Sequence, residues 1–194
     1  MKWQDIISNV NIYGLEETVE GQTYPMVQLS REYTHPGEDS FLKGVVVQLD
    51  LTFTNKAWVE AERYHFMGFV NTQSPIQRIT NVDLDTVYVD YVDARIIAIM
   101  KELSKEYNSL QNDIVSLKAE GKDTTTLEDL ANQKYLELLY SNPAGFQLTA
   151  RMTTNYQELR TIYFSRRTNR LPEWRAFCQW IETLPHAEFI THGK

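Results

Sequence analysis

Two stretches of the chain carry side chains that could do chemistry. The first, Trp58 to Arg78, ends in His65, Asn71, Gln73, Ser74, Gln77 and Arg78. Imidazole, amide, hydroxyl and guanidinium groups gathered like this can hold a polar ligand by hydrogen bonds. The second, residues 151–175, contains Arg151, Arg160, Arg166, Arg167, Arg170 and Arg175, with only Glu158 and Glu173 opposing them. A guanidinium is a planar fork of five donors and suits phosphate or carboxylate. The whole chain carries a net charge of −7. A local cluster of arginines in an acidic protein fits a small anionic ligand better than a long polyanion, whose nonspecific binding needs many neutralised phosphates. General nucleic-acid binding is therefore not expected. Both stretches also have plainer readings. Loops are polar because they are wet, and helix arginines form surface pairs that are individually weak.

Other chemistries lack their residues. There is no P-loop, no G-x-G-x-x-G after a strand, no H-E-x-x-H and no G-x-S-x-G. The histidines (His35, His65, His186, His192) are scattered without ligand spacing, so no metal site is expected. Cys178 is the one cysteine, which excludes an internal disulfide. It falls on the apolar face of a predicted helix, where a buried structural thiol is expected rather than a nucleophile. No residue is assigned a catalytic role.

At 194 residues, 42% apolar and 23% charged, the chain can bury a substantial core as a single domain over 1–194. No run of 18 apolar residues is present, so no membrane span is expected. The N-terminus lacks an apolar signal region, and a cytoplasmic protein is expected.

The elements that must position the two stretches are legible in part. Val45 to Thr54 alternates (Val45, Val47, Leu49, Leu51, Phe53) and predicts a strand buried on one face. A helix is predicted to follow through Trp58, Ala61 and Tyr64, opening into the polar loop that reaches Arg78. Residues 1–8 predict a short helix or arm, and Val10, Ile12 and Tyr13 a short strand closed by Gly14. Residues 14–43 read as a long irregular segment, with Asp39 or Ser40 capping a brief turn. Val82 to Val89 fits either strand or loop.

Met100, Leu103, Tyr107, Leu110, Ile114 and Leu117 form a heptad seam on a long helix, ended by Gly121. A second helix carries Leu127, Leu130, Ala131, Leu138 and Leu139 and stops at Asn142-Pro143. Together they make a helical hairpin insertion at about 93–142. Phe146 to Met152 predicts another strand, with Thr153 or Thr154 capping a helix from Asn155 to about Arg167. A last helix is predicted from Pro172, its inner face formed by Trp174, Phe177, Cys178, Ile181 and Leu184.

This order of elements, together with the two polar stretches, resembles flavin-dependent thymidylate synthase. That family carries R-H-R-x-x-S-x-N-E-x-S-x-R in its helix and loop, preceded by S-x-x-E-H, and N-x-R-S-L with later conserved polar positions in its last helices. Here Tyr64-His65-Phe66 aligns with R-H-R, Phe69 with the first Ser, Asn71 with Asn, Thr72 with Glu and Ser74 with the second Ser. The final Arg is reached at Arg78 only through a two-residue insertion. Ser40-Phe41-Leu42-Lys43-Gly44 occupies the S-x-x-E-H position. Downstream, Asn155, Leu159, Arg166 and Glu173 match, while Leu171 replaces Gln. Both arginines of R-H-R are replaced, and Arg63 stands one position away. The resemblance covers roughly residues 38 to 180, in a form expected of divergent bacteriophage members.

The resemblance implies an α+β fold, with an antiparallel or mixed sheet packed against helices and the hairpin inserted. It implies FAD near His65, Asn71 and Asn155, and a pyrimidine nucleotide such as dUMP near Arg63, Ser74, Arg78 and Arg166, with Arg31 as a further candidate substitute for a lost arginine. It also implies a homotetramer. Two functions stay open: a flavin-dependent enzyme that methylates a nucleotide, or an inactive relative. The latter would bind or sequester a nucleotide or another anionic small molecule, or act through protein contacts.

Overall fold

The computed structural model describes residues 1–20, 38–72 and 79–192. The chain divides into two compact units, one made of residues 1–72 and 149–194 and the other of residues 73–148.

The first unit is built on a sheet of strands β1 (Ile7–Tyr13), β2 (Val46–Thr54), β3 (Gly68–Thr72) and β4 (Gln147–Asn155), in the order β1-β2-β4-β3. β1 is antiparallel to β2 and β3 to β4. The Thr52–Thr149 hydroxyl contact and the bond from the Tyr156 N–H to the Val45 carbonyl make β2 and β4 antiparallel too. The alternation read in the sequence is the burial pattern observed. Val47, Leu49, Leu51 and Phe53 of β2 and Leu148, Ala150, Met152 and Thr154 of β4 are buried, and their neighbours along each strand are more exposed.

Helices cover the buried face: α1 (Asn55–Ala61), α4 (Tyr156–Arg166), α5 (Pro172–Ile181) and α6 (Glu188–Thr191), numbered along the chain around the two helices of the second unit. Phe53, Trp58, Trp174 and Phe177 form an aromatic core between β2, α1 and α5, with Phe53 and Trp174 ring centroids 4.9 Å apart. Cys178 is buried beside them, and burial pushes its thiol up to about 12, so it stays protonated and unreactive near neutral pH. Gly14 is needed at the end of β1: its φ is +73°, and a Cβ there would lie 2.4 Å from the Gly44 carbonyl oxygen.

The second unit contains the helical hairpin α2 (Ala94–Ala119) and α3 (Thr125–Ser141), turned at Gly121 with φ +71°. Asp93 caps α2 by accepting from the Arg95 N–H at 2.9 Å. Met100, Leu103 and Ile114 are buried on α2, and Ala131 and Leu138 on α3. Tyr107 packs on Tyr135 with centroids 5.5 Å apart, and Lys134 pairs with Glu106 at 2.8 Å. Residues 82–89 are turns, joined to Phe146 by a single bridge at Tyr88.

Four local expectations are revised. The polar stretch after α1 is not all loop, because Gly68–Thr72 forms edge strand β3. Its residues are mostly exposed, so it lacks the alternation that marks a half-buried strand, and pairing with β4 alone defines it. β4 runs on to Asn155, and Asn155 rather than a threonine caps α4. Within residues 14–43 the π-helical turn at Glu16–Glu20 was not expected, while the 3-10 helix at Glu38–Gly44 is the brief turn expected near Asp39 and Ser40. Finally, the short α6 follows α5, burying Phe189 and Ile190.

Candidate functional site

Arg166, the last residue of α4, is where the two polar stretches meet. Its Nε donates to the Tyr64 hydroxyl at 2.7 Å and its Nη1 to Glu60 Oε2 at 2.5 Å. The guanidinium carbon lies 4.9 Å from the centroid of the Trp174 ring and 5.4 Å from that of Tyr64. This is a cation held against aromatic faces, an arrangement that is stronger when partly desolvated. The Arg166 and Glu60 side chains keep 14% and 19% of their exposure, so the pair sits at the rim of the core rather than in open water. Nη2 of Arg166 makes no hydrogen bond to a described residue. Among the described residues, Nη2 is thus the one nitrogen of the fork without a hydrogen-bond partner.

Local rules put each partner in place. Thr54 ends β2 and caps α1, accepting from the Ala57 N–H at 3.2 Å while donating to Glu173 Oε1 at 2.6 Å. That hydroxyl ties the start of α1, which carries Glu60, to the start of α5, which carries Trp174. Asn155 starts α4 by accepting from the Glu158 N–H at 2.9 Å, and α4 then carries Arg166 to its far end. Glu60 is also 3.8 Å from Lys56, one helical turn earlier.

The other candidates are placed as follows. Arg63, His65 and Asn71 are exposed, Asn71 on β3. Burial raises the Glu158 carboxyl above its ordinary value, and the charge of nearby His65 opposes that shift. Arg31, Gln73, Ser74, Gln77 and Arg78 fall outside the described residues. Among the remaining arginines, Arg160 is 4% exposed. Arg151 binds Asp50 and the Asn9 carbonyl across the sheet, and Arg175 donates to the carbonyls of Asn169 and Arg170. These are arginines of the fold. Glu60 and Trp174 were not singled out in the sequence as partners of Arg166. Glu60 lies 106 positions from it, and no local pattern reports such a contact. Among the described residues no group of three or more His, Cys, Asp or Glu could hold a metal ion, and no helix is long and apolar enough to cross a membrane.

The architecture, an antiparallel sheet with helices on one face and a long helical hairpin, is α+β and flavin-dependent-thymidylate-synthase-like. The solved structures it matches include the flavin-dependent thymidylate synthase ThyX from Helicobacter pylori complexed with FAD and dUMP. The TM-score is 0.61 at 13% identity, over 95% of this chain and 98% of that one. A second structure of ThyX from Helicobacter pylori with FAD and dUMP matches at TM-score 0.61 and 14% identity over the same shares. At that identity the likeness is one of fold. No protein-family model and no curated protein matches the chain.

Proposed function

We propose that the chain binds a pyrimidine nucleotide, with dUMP as the test ligand, and that Arg166 grips its phosphate. The observation that carries this reading is the meeting of the two polar stretches at a single half-buried guanidinium whose Nη2 has no partner among the described residues. The fold supports it, since the neighbouring ThyX structures were solved with dUMP. Arg63, Ser74 and Arg78 complete the proposed nucleotide set.

Binding without catalysis is preferred to flavin-dependent methylation. Tyr64 and Phe66 stand where the family pattern has arginines, and the Tyr64 hydroxyl accepts from Arg166. Asn155, one of the three proposed flavin positions, uses its Oδ1 to cap α4 and keeps its amide N–H donors. His65 and Asn71 are exposed and can face a ligand, but neither is a fixed cation for a diphosphate. Without the two arginines, these positions offer a flavin hydrogen bonds but no guanidinium fork for its diphosphate.

Titration calorimetry tests the reading. Arg166→Ala should weaken dUMP binding by about 1.5–3 kcal/mol, the contribution of a hydrogen bond to a charged group, or roughly ten- to hundredfold in Kd. Arg170→Ala, at an exposed position, should leave it unchanged. Equal affinity in both variants and the wild type would remove Arg166 from the site. FAD belongs in the same titration, as the ligand of the enzyme alternative.

A homotetramer is proposed alongside. Val59, Phe66, Phe69 and Val70 around the edge strand are 60%, 58%, 46% and 57% exposed, and exposed apolar edges are commonly covered by another chain. Sedimentation at micromolar concentration should give four times the 22.7 kDa chain mass. A single 22.7 kDa species would contradict it.

A further inference from the structure

We infer that Glu60 is a specificity-determining residue of the Arg166 site: an internal counter-ion that sets how much negative charge a ligand must bring. The inference rests on the nucleotide-binding reading above and goes one step beyond it. Arg166 is not a bare cation. Its Nη1 is held by the Glu60 carboxylate at 2.5 Å, and its Nε by the neutral Tyr64 hydroxyl at 2.7 Å. Any anion that takes Nη2, which has no partner among the described residues, arrives beside a carboxylate already bound to the same guanidinium. With both side chains only partly exposed, water screens that repulsion poorly.

Glu60 has a second, weaker partner on its other oxygen. Lys56 Nζ lies 3.8 Å from Glu60 Oε1, on the same face of α1, and its side chain is 58% exposed. Glu60 can therefore turn from Arg166 towards Lys56 when a stronger anion arrives, without being left unpaired. Tyr64 and Trp174 hold the guanidinium in place during that exchange, because neither contact depends on Glu60. A singly charged carboxylate ligand gains nothing by replacing Glu60 with its like. A phosphate monoester, with up to two charges and three acceptor oxygens, gains both charge and hydrogen bonds. The device thus discriminates among anions, favouring a doubly charged phosphate over a singly charged carboxylate.

The test is titration calorimetry of the full chain with dUMP and with deoxyuridine, which lacks the phosphate. Glu60→Gln keeps an oxygen to accept from Nη1 but removes the charge. It should bind dUMP roughly tenfold more tightly than wild type and leave deoxyuridine unchanged. Lys56→Met removes the alternative partner and should weaken dUMP several-fold, again with deoxyuridine unchanged. If wild type binds dUMP but Glu60→Gln binds it equally or more weakly, Glu60 is not a competitor and the inference falls while the nucleotide reading stands. An unchanged dUMP affinity in Lys56→Met overturns the exchange in the same way. If neither wild type nor Glu60→Gln binds dUMP, the nucleotide reading itself fails and takes this inference with it.

Discussion

Trp174→Ala is expected to destabilise the protein by about 3–5 kcal/mol, the usual cost of emptying a large aromatic site in a packed core. Trp174 has no exposed surface. It packs edge-on against Phe53 at 4.9 Å, Phe177 at 6.0 Å and Tyr64 at 5.8 Å, and it forms one wall behind the Arg166 guanidinium. Its removal opens a cavity between β2, α1 and α5 and also loosens the arginine. The loss is a large part of the roughly 5–15 kcal/mol that holds a typical domain together. The indole Nε1 makes no hydrogen bond to a described residue, so Trp174→Phe gives up packing volume but no polar contact, and should cost much less than Ala. Urea denaturation of the two variants measures the difference. A loss below about 1 kcal/mol for Ala would show that this aromatic cluster is not the core it is taken to be.

Thr54→Val should cost roughly 2–4 kcal/mol although Val has nearly the same shape, from about 1 for the lost helix cap and about 1.5–3 for the lost bond to a carboxylate. One buried hydroxyl makes both contacts, accepting from Ala57 N–H and donating to Glu173. Glu173 is 3% exposed, so without that donor a carboxyl is left buried with less compensation. Thr54→Ser retains the hydroxyl and should cost little by comparison. Equal denaturation midpoints for Val and Ser would mean that the hydroxyl contributes nothing and that α1 and α5 are joined by packing alone.

How much of this was readable beforehand depends on which physics is local. β2 and β4 showed themselves because one face of each is buried, and burial writes a period of two into the residues. The hairpin showed itself through the seam of Met100, Leu103 and Ile114 and the turn at Gly121. Cys178 was legible as a core thiol because it shares a helix face with Trp174, Phe177 and Ile181. β3 was not legible, since Gly68–Thr72 buries almost nothing and is a strand only by virtue of β4. The end of β4 was misplaced by three residues because Thr153 and Thr154 are good caps and good strand residues at once, and pairing with Gly68 decided for strand.

The candidate site divides along the same line. Arg166 could be singled out by its type and its neighbourhood. Its carboxylate and aromatic partners come from helices far along the chain, where only tertiary packing brings them together. Thr54 and Glu173, 119 positions apart, are the same case. The likeness of motif pointed to the fold, which survives the replacement of arginines by Tyr64 and Phe66, whereas a site depends on the particular residues that line it.

The most direct measurement of the central claim is calorimetric titration of dUMP into the wild-type protein, with the melting temperature followed in parallel. Saturable heat and a melting temperature that rises with dUMP concentration are the expected result, because a ligand that binds only the folded chain stabilises it by mass action. No heat and no shift at millimolar dUMP would contradict the account, and would leave the fold without the ligand proposed for it.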